Sequence, residues 1–152
     1  MISRDAGRLG QAVLFFETTE PSLEEAFRAY PPGPYRFVGW SADGRIFESG
    51  SVLSSELPDA PVITFPADGE PGLPPDALTV TWLPVGNAGG YGVEVDVEET
   101  EETLTADLPS GAHSFSIPAA WLAPGKVYNL DVSARGRNGN VTFSGITFKT
   151  AW

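Results

Sequence analysis

The chain has 152 residues, 41% of them hydrophobic, which is room for one ordinary domain, or for one small domain plus an accessory segment, and enough apolar content for a core. It carries 20 acidic against 9 basic residues, a formal charge of −11 that repels nucleic-acid phosphates and anionic membrane surfaces. It has no cysteine, so disulfides, thiol catalysis and Cys-ligated zinc are excluded, while 17 Gly and 14 Pro spread along it point to short strands with many turns.

The start, "MISRDAGRLGQAV", has no apolar signal-peptide core, and no apolar run reaches the length of a membrane span. Membrane insertion is therefore not expected. "QAVLFFETT" (11–19) reads as a strand. "EPSLEEAFRAY" reads as a short helix: Ser22 and Glu25 make a capping box, and Leu23, Ala26, Phe27 and Tyr30 share a face. "PPGPYRFVGWS" and "RIFESGSVLS" read as two strands joined at "ADGR", a hairpin.

Residues 1–59 are too few to bury much surface alone, yet they carry Leu14, Phe15, Phe16, Phe27, Tyr30, Tyr35, Phe37, Trp40, Ile46 and Phe47. Those side chains need a partner surface. The sandwich of the same chain is the nearer choice; a neighbouring subunit is the other. Phe15, Phe16 and Trp40 are accordingly candidate partner-binding residues.

After the stiff joint "SELPDAP", residues 60–152 read as seven strands. "APVITFPADG" is short. "ALTVTWLPV" puts Leu78, Val80 and Trp82 on one face and Thr79 and Thr81 on the other. "YGVEVDVEE" sends Tyr91, Val93, Val95 and Val97 one way and Glu94, Asp96 and Glu98 the other. "ETLTADLP" and "HSFSIP" follow. "LAPGKVYNLDVSA" turns at Pro124-Gly125 and then alternates through Tyr128, Leu130, Val132 and Ala134. Asn138-Gly139 marks a tight hairpin turn into "VTFSGITFKT". "GNAGGYG" (86–92) lies between two strands rather than before a helix, so it reads as a strand connection and not as a phosphate loop.

Four features of residues 60–152 together resemble a fibronectin type III domain: the leading "PDAPVI", Trp82 followed by Pro84, Tyr91 opening a valine-rich strand, and Leu122-x-Pro124-Gly125-x-x-Tyr128 before an alternating strand. The resemblance implies an all-β, antiparallel sandwich with an N-terminal extension of strand, short helix and β-hairpin. It also implies a tyrosine corner at Tyr128, which makes Tyr128 and Trp82 structural. The stretches "GRLG…LFFE…EPS" and "PPGPYRFVG" resemble the segment that precedes the sandwich in uncharacterised bacterial fibronectin type III domain-containing proteins. That likeness implies a bacterial secreted or cell-surface setting.

Chemistry-bearing constellations are sparse. His113 is the single histidine and has no catalytic pattern around it. The run "EVDVEETEET" (Glu94, Asp96, Glu98, Glu99, Glu101, Glu102) offers carboxylates to Ca²⁺. It lacks the Asp-x-Asp-x-Asp-Gly spacing, and a solvated face that blocks wrong edge pairing explains it more simply. In "RGRNGN", Arg135, Arg137 and Asn138 sit on a loop tip suited to recognition, and the two arginines equally offset local acidic repulsion. No cofactor, no metal and no catalytic residue is expected. The expected function is a non-catalytic extracellular or cell-surface structural or binding protein that self-assembles into a fibre or surface layer. The alternative is a monomeric adhesion or carbohydrate-binding module using Trp40 or Trp121. A protein partner, a second copy included, is favoured over carbohydrate.

Overall fold

The computed structural model describes residues 22–100 and 102–152. The strand expected at 11–19, with Phe15 and Phe16, lies outside the described residues. The chain divides into two compact units, Met1–Ser55 and Glu56–Trp152.

In the first unit, helix α1 (Leu23–Ala29) starts at the Ser22 N-cap. The Ser22 hydroxyl accepts from the Glu25 N–H at 3.3 Å, and the Glu25 carboxylate accepts from the Ser22 N–H at 3.0 Å. The serine hydroxyl, more than the serine N–H, holds the Glu25 carboxyl below its usual value. Seven residues are too few for a stable isolated helix, so α1 depends on its packing.

Strands β1 (Gly33–Trp40) and β2 (Ile46–Leu53) form an antiparallel hairpin, paired without a break from Gly33↔Leu53 to Trp40↔Ile46. The turn between them closes through Ser41, whose N–H donates to the Arg45 carbonyl at 3.0 Å. Gly44 supplies the positive φ of +82° that a residue with a Cβ rarely adopts.

The second unit holds eight strands: β3 (Ile63–Phe65), β4 (Glu70–Leu73), β5 (Leu78–Trp82), β6 (Ala88–Val97), β7 (Thr103–Pro109), β8 (Ser114–Ile117), β9 (Val127–Gly136) and β10 (Val141–Thr150). They form a three-stranded sheet, β3-β5-β8, and a five-stranded sheet, β4-β10-β9-β6-β7. This is the expected fibronectin-type-III-like β-sandwich.

Its core takes Leu78, Val80, Trp82 and Ile117 from the smaller sheet. The larger sheet contributes Leu73, Tyr91, Val93, Val95, Val97, Tyr128, Leu130, Val132, Ala134 and Phe148, and Leu122 closes it from a loop. Alternation buries one side of each strand, as the period of two requires. Trp82 and Tyr91 meet across the sheets with ring centroids 5.5 Å apart, and Tyr128 stacks on Phe148 at 5.2 Å.

The Tyr128 hydroxyl accepts from the Ala123 N–H at 2.7 Å and reaches the Trp121 carbonyl at 3.5 Å, tying β9 to the loop before it. Tyr91 does the same one strand pair away, accepting from the Val85 N–H at 2.7 Å. The two phenols lock the loops that lead into β9 and β6.

Three expectations are corrected. β4 was not expected: "EPGL" has no alternation, and it is a strand because it pairs parallel to β10 at Phe148↔Glu70 and Thr150↔Leu73. "GNAGGYG" is not a free connection, since β6 begins at Ala88 and bulges at Gly89 between Ala88↔Gly136 and Gly90↔Arg135. Glu98 is not on the strand; β6 ends at Val97 and the chain turns through Thr100. In the hairpin, Phe37, Trp40 and Phe47 are exposed.

Candidate functional site

Two surfaces hold the described residues singled out for recognition. The first is the end of the sandwich where β9 turns into β10. Arg135 is the penultimate residue of β9 and reaches across β6 to β7, where its guanidinium meets Asp107 at 2.8 Å. It can cross because β6 carries Gly90 and Gly92 beneath its path, in register with Arg135 and Ser133 on β9 and with Pro109 and Asp107 on β7. A Cβ on Gly92 would stand 2.6 Å from the Ser133 hydroxyl, so the glycine is what lets Ser133 lie over the strand.

The result is a shallow trough of about 380 Å³ walled by Phe143, which is 70% exposed, with Asp107 and Arg135 opposite and Glu94 and Asp131 at one end. Burial, and after it the charge of Asp96, raises the Asp131 carboxyl above its ordinary value. Glu94 stands directly across from Asp131 on β6.

Asn138 occupies the turn itself, with Gly139 at φ +89°. Its side-chain amide donates to the Glu56 carbonyl at 2.8 Å, and Asn140 donates to the same oxygen at 2.7 Å. Thr142 adds a bond to the Asp59 carbonyl at 3.1 Å, and Pro58 is buried beside Gly136. The tip of this loop thus clamps the segment that leads into the sandwich. Arg137 lines a cleft of about 530 Å³ there, with Glu56, Pro58, Asn87 and Asn138. The structure therefore sets Arg135 in a sheet-face ion pair and Asn138 in a backbone clamp, with Arg137 exposed between them.

The second surface is the helix–hairpin unit. Residues opposite one another in β1 and β2 share a face. One face carries Tyr35, Phe37, Phe47 and Leu53; the other carries Val38, Trp40, Ile46 and Val52. α1 meets the first face, and Ala26, Phe27, Tyr30, Tyr35, Phe37 and Leu53 border an open apolar groove of about 630 Å³. Trp40 is 70% exposed, Val52 74% and Phe47 59%. The only charges on the hairpin are two ion pairs, Arg36–Glu48 and Arg45–Asp43. Residues 1–55 carry 7 acidic and 5 basic groups, whereas 56–152 carry 13 and 4. The acidity of the chain is thus concentrated in its second unit.

Among the described residues there is no group of three or more His, Asp or Glu that could hold a metal ion. His113 is exposed, and its backbone carbonyl accepts from the Trp82 N–H at 3.1 Å. Trp121 packs against the core with its indole N–H unpartnered. No helix among the described residues is long and apolar enough to cross a membrane.

No family model matches the chain, and no curated protein matches it. Among solved structures it is similar to a myokine structure at 18% identity, covering 62% of this chain and 99% of that one, with a TM-score of 0.50. It is similar to the fn3 domain of human contactin 1 at 20% identity, covering 61% and 77%, with a TM-score of 0.48. The fn3 domain of the human collagen alpha-1(XX) chain aligns at 17% identity over 67% and 90%, also with a TM-score of 0.48. Identities this low speak to the fold alone.

Proposed function

We propose that the chain is a non-catalytic structural and binding protein of the cell surface or exterior. In this reading the sandwich is a rigid scaffold, and the helix–hairpin unit is the contact element through which copies associate. The observation that carries it is the hairpin: Phe37, Val38, Trp40, Ile46, Phe47 and Val52 are all exposed within 33–53, on a ladder whose four charges cancel. Apolar exposure this dense is what an interaction surface presents, and the strongly acidic remainder of the chain keeps it soluble.

Sedimentation of the full chain at about 100 µM is expected to show association, and Trp40→Ser with Phe47→Ser to weaken it by about tenfold or more. Both residues lie outside the sandwich core, so its thermal transition is expected to stay in place. A full chain that sediments as a monomer at that concentration overturns the reading.

A second reading is a monomeric carbohydrate-binding module. The trough beside Phe143 favours it, because an exposed aromatic ring there faces fixed donors and acceptors on Arg135, Ser133 and Asp107. Saturable binding of a neutral oligosaccharide that is lost in Phe143→Ala, by a chain that stays monomeric, would establish this reading in place of the first.

A further inference from the structure

We infer that copies of the chain pair through the outer edge of β2, antiparallel and about a two-fold axis, so that assembly closes at a dimer instead of growing into a fibre. This rests on the self-association proposed above and names its geometry.

The two edges of the hairpin are unequal. Among the described residues β2 is paired with β1 alone, and no described strand lies against its other edge, whose N–H and C=O groups have the geometry to accept a further strand. β2 is eight residues long and its ladder with β1 has no bulge. Its sequence, IFESGSVL, has no proline and no lysine or arginine. Its one charge, Glu48, is already engaged by Arg36 of β1. Proline, lysine, bulges and short length are the usual devices that keep a sheet edge from pairing, and β2 has none of them. β1 differs: Pro34 lies within it and Pro31 and Pro32 precede it, so its backbone lacks donors where a further strand would need them.

An edge that pairs with its own copy forms an isologous contact, which closes. A fibre would need the second edge as well, and β1 is the blunted one.

Register and charge agree with this pairing. A two-fold axis at Ser49 sets Ile46 against Val52 of the second copy, Phe47 against Ser51 and Glu48 against Gly50. No like charges stand directly opposite, the two Glu48 residues are diagonal neighbours each paired with Arg36 of its own copy, and each face keeps its side across all four strands. Trp40 and Ile46 of each copy then meet Val52 of the other, forming an apolar cluster at each end of the four-stranded sheet, of the kind cross-strand pairs stabilise, with the Arg36–Glu48 pairs of both copies between them. Elsewhere the approach of a second copy is opposed: residues 56–152 carry 13 acidic against 4 basic groups, while the charges of the hairpin cancel. The hairpin edge is the region where two acidic chains meet with least repulsion.

The chain has no cysteine, so single cysteines report the contact cleanly. In the two-fold pairing the Ser49 Cα atoms of the two copies lie about 5 Å apart, within disulfide reach, whereas β1 of one copy lies about 14 Å from β1 of the other. The full chain is expected to sediment as a dimer. Ser49→Cys is expected to cross-link to a dimer under mild oxidation, and Val38→Cys, on β1, to stay uncross-linked. Raising salt from about 20 to 300 mM is expected to tighten the dimer several-fold, since screening relieves the repulsion between the acidic units.

A monomer would overturn both this inference and the self-association reading, leaving the edge to residues 11–19 of the same chain or to another protein. A dimer that cross-links through position 38 and not 49, or a ladder of higher oligomers, would overturn the edge pairing and leave self-association standing.

Discussion

Tyr128 shows how much one hydroxyl can hold. Its ring is fully buried against Phe148, while its oxygen accepts from Ala123 and reaches Trp121. Tyr128→Phe keeps the ring packing and leaves the Ala123 N–H without its partner. It is expected to cost about 1 kcal/mol or somewhat more, read as a lower denaturation midpoint at unchanged m-value. Asp131 works in the opposite sense. Its carboxyl is raised by burial and by Asp96, so ionisation is harder in the folded chain than in the unfolded one. The penalty is fully present above the raised folded value and disappears below the unfolded one. Stability is therefore expected to gain from this group as pH falls from neutral into the carboxylate range. Asp131→Asn is expected to raise stability at pH 7 by about 0.5 kcal/mol and to flatten that part of the pH profile. Equal melting of the two proteins at pH 7 would count against the crowding of Glu94, Asp96 and Asp131 as a destabilising feature.

Among the elements, the turn between β9 and β10 has the least expected role. A loop tip with two arginines and two asparagines looks built for a ligand, yet Asn138 and Asn140 both donate to the Glu56 carbonyl. Replacing both by alanine removes two bonds to one backbone oxygen and frees the leading segment from the turn. Amide exchange across Leu57–Ile63 is expected to quicken by about tenfold, while exchange in β6 and β9 stays slow. Equal protection in the double variant would show that the Thr142 bond to Asp59 and the burial of Pro58 hold the segment without the two asparagines. The hairpin follows another logic. β1 and β2 are apolar on both faces, which suits a strand pair covered on both sides and not a free ribbon in water. That mismatch between pattern and exposure is why association is assigned to this element.

At the scale of the whole molecule, the second unit has a hydrophobic core of its own. Among the described residues, every buried core hydrophobic lies between Leu73 and Phe148, and the five-stranded sheet alone supplies ten of them. Removing residues 1–55 is therefore expected to leave a folded, soluble monomer whose unfolding free energy lies within about 1 kcal/mol of that of the sandwich in the full chain. Loss of association in the truncated chain would accompany it, because the contact element is gone. A truncated chain that aggregates or fails to fold would instead show that residues 1–55 cover part of the sandwich.

Several features were legible in local order. The two-residue alternation of 78–82, 91–97 and 128–134 marks strands with one buried face, because a pleated strand turns every second side chain to the same side. Pro124-Gly125 before Tyr128, and Asn138-Gly139 before β10, name turns through the φ values those residues prefer; Gly125 and Gly139 lie at +70° and +89°. Ser22 and Glu25 declare the start of α1 for the same local reason. What the tertiary structure alone decided depends on residues far apart in the chain. β4 is a strand through its pairing with Phe148 and Thr150, and nothing in "EPGL" encodes that neighbour. Gly90 and Gly92 look like slack until β9 and β7 come to lie on either side and Arg135 reaches over them to Asp107. Tyr91 resembles any strand aromatic until its hydroxyl meets the Val85 N–H. The exposure of Phe37, Trp40 and Phe47 is likewise a tertiary fact: periodicity says which face of a strand is apolar, and only the packed chain shows whether anything covers it.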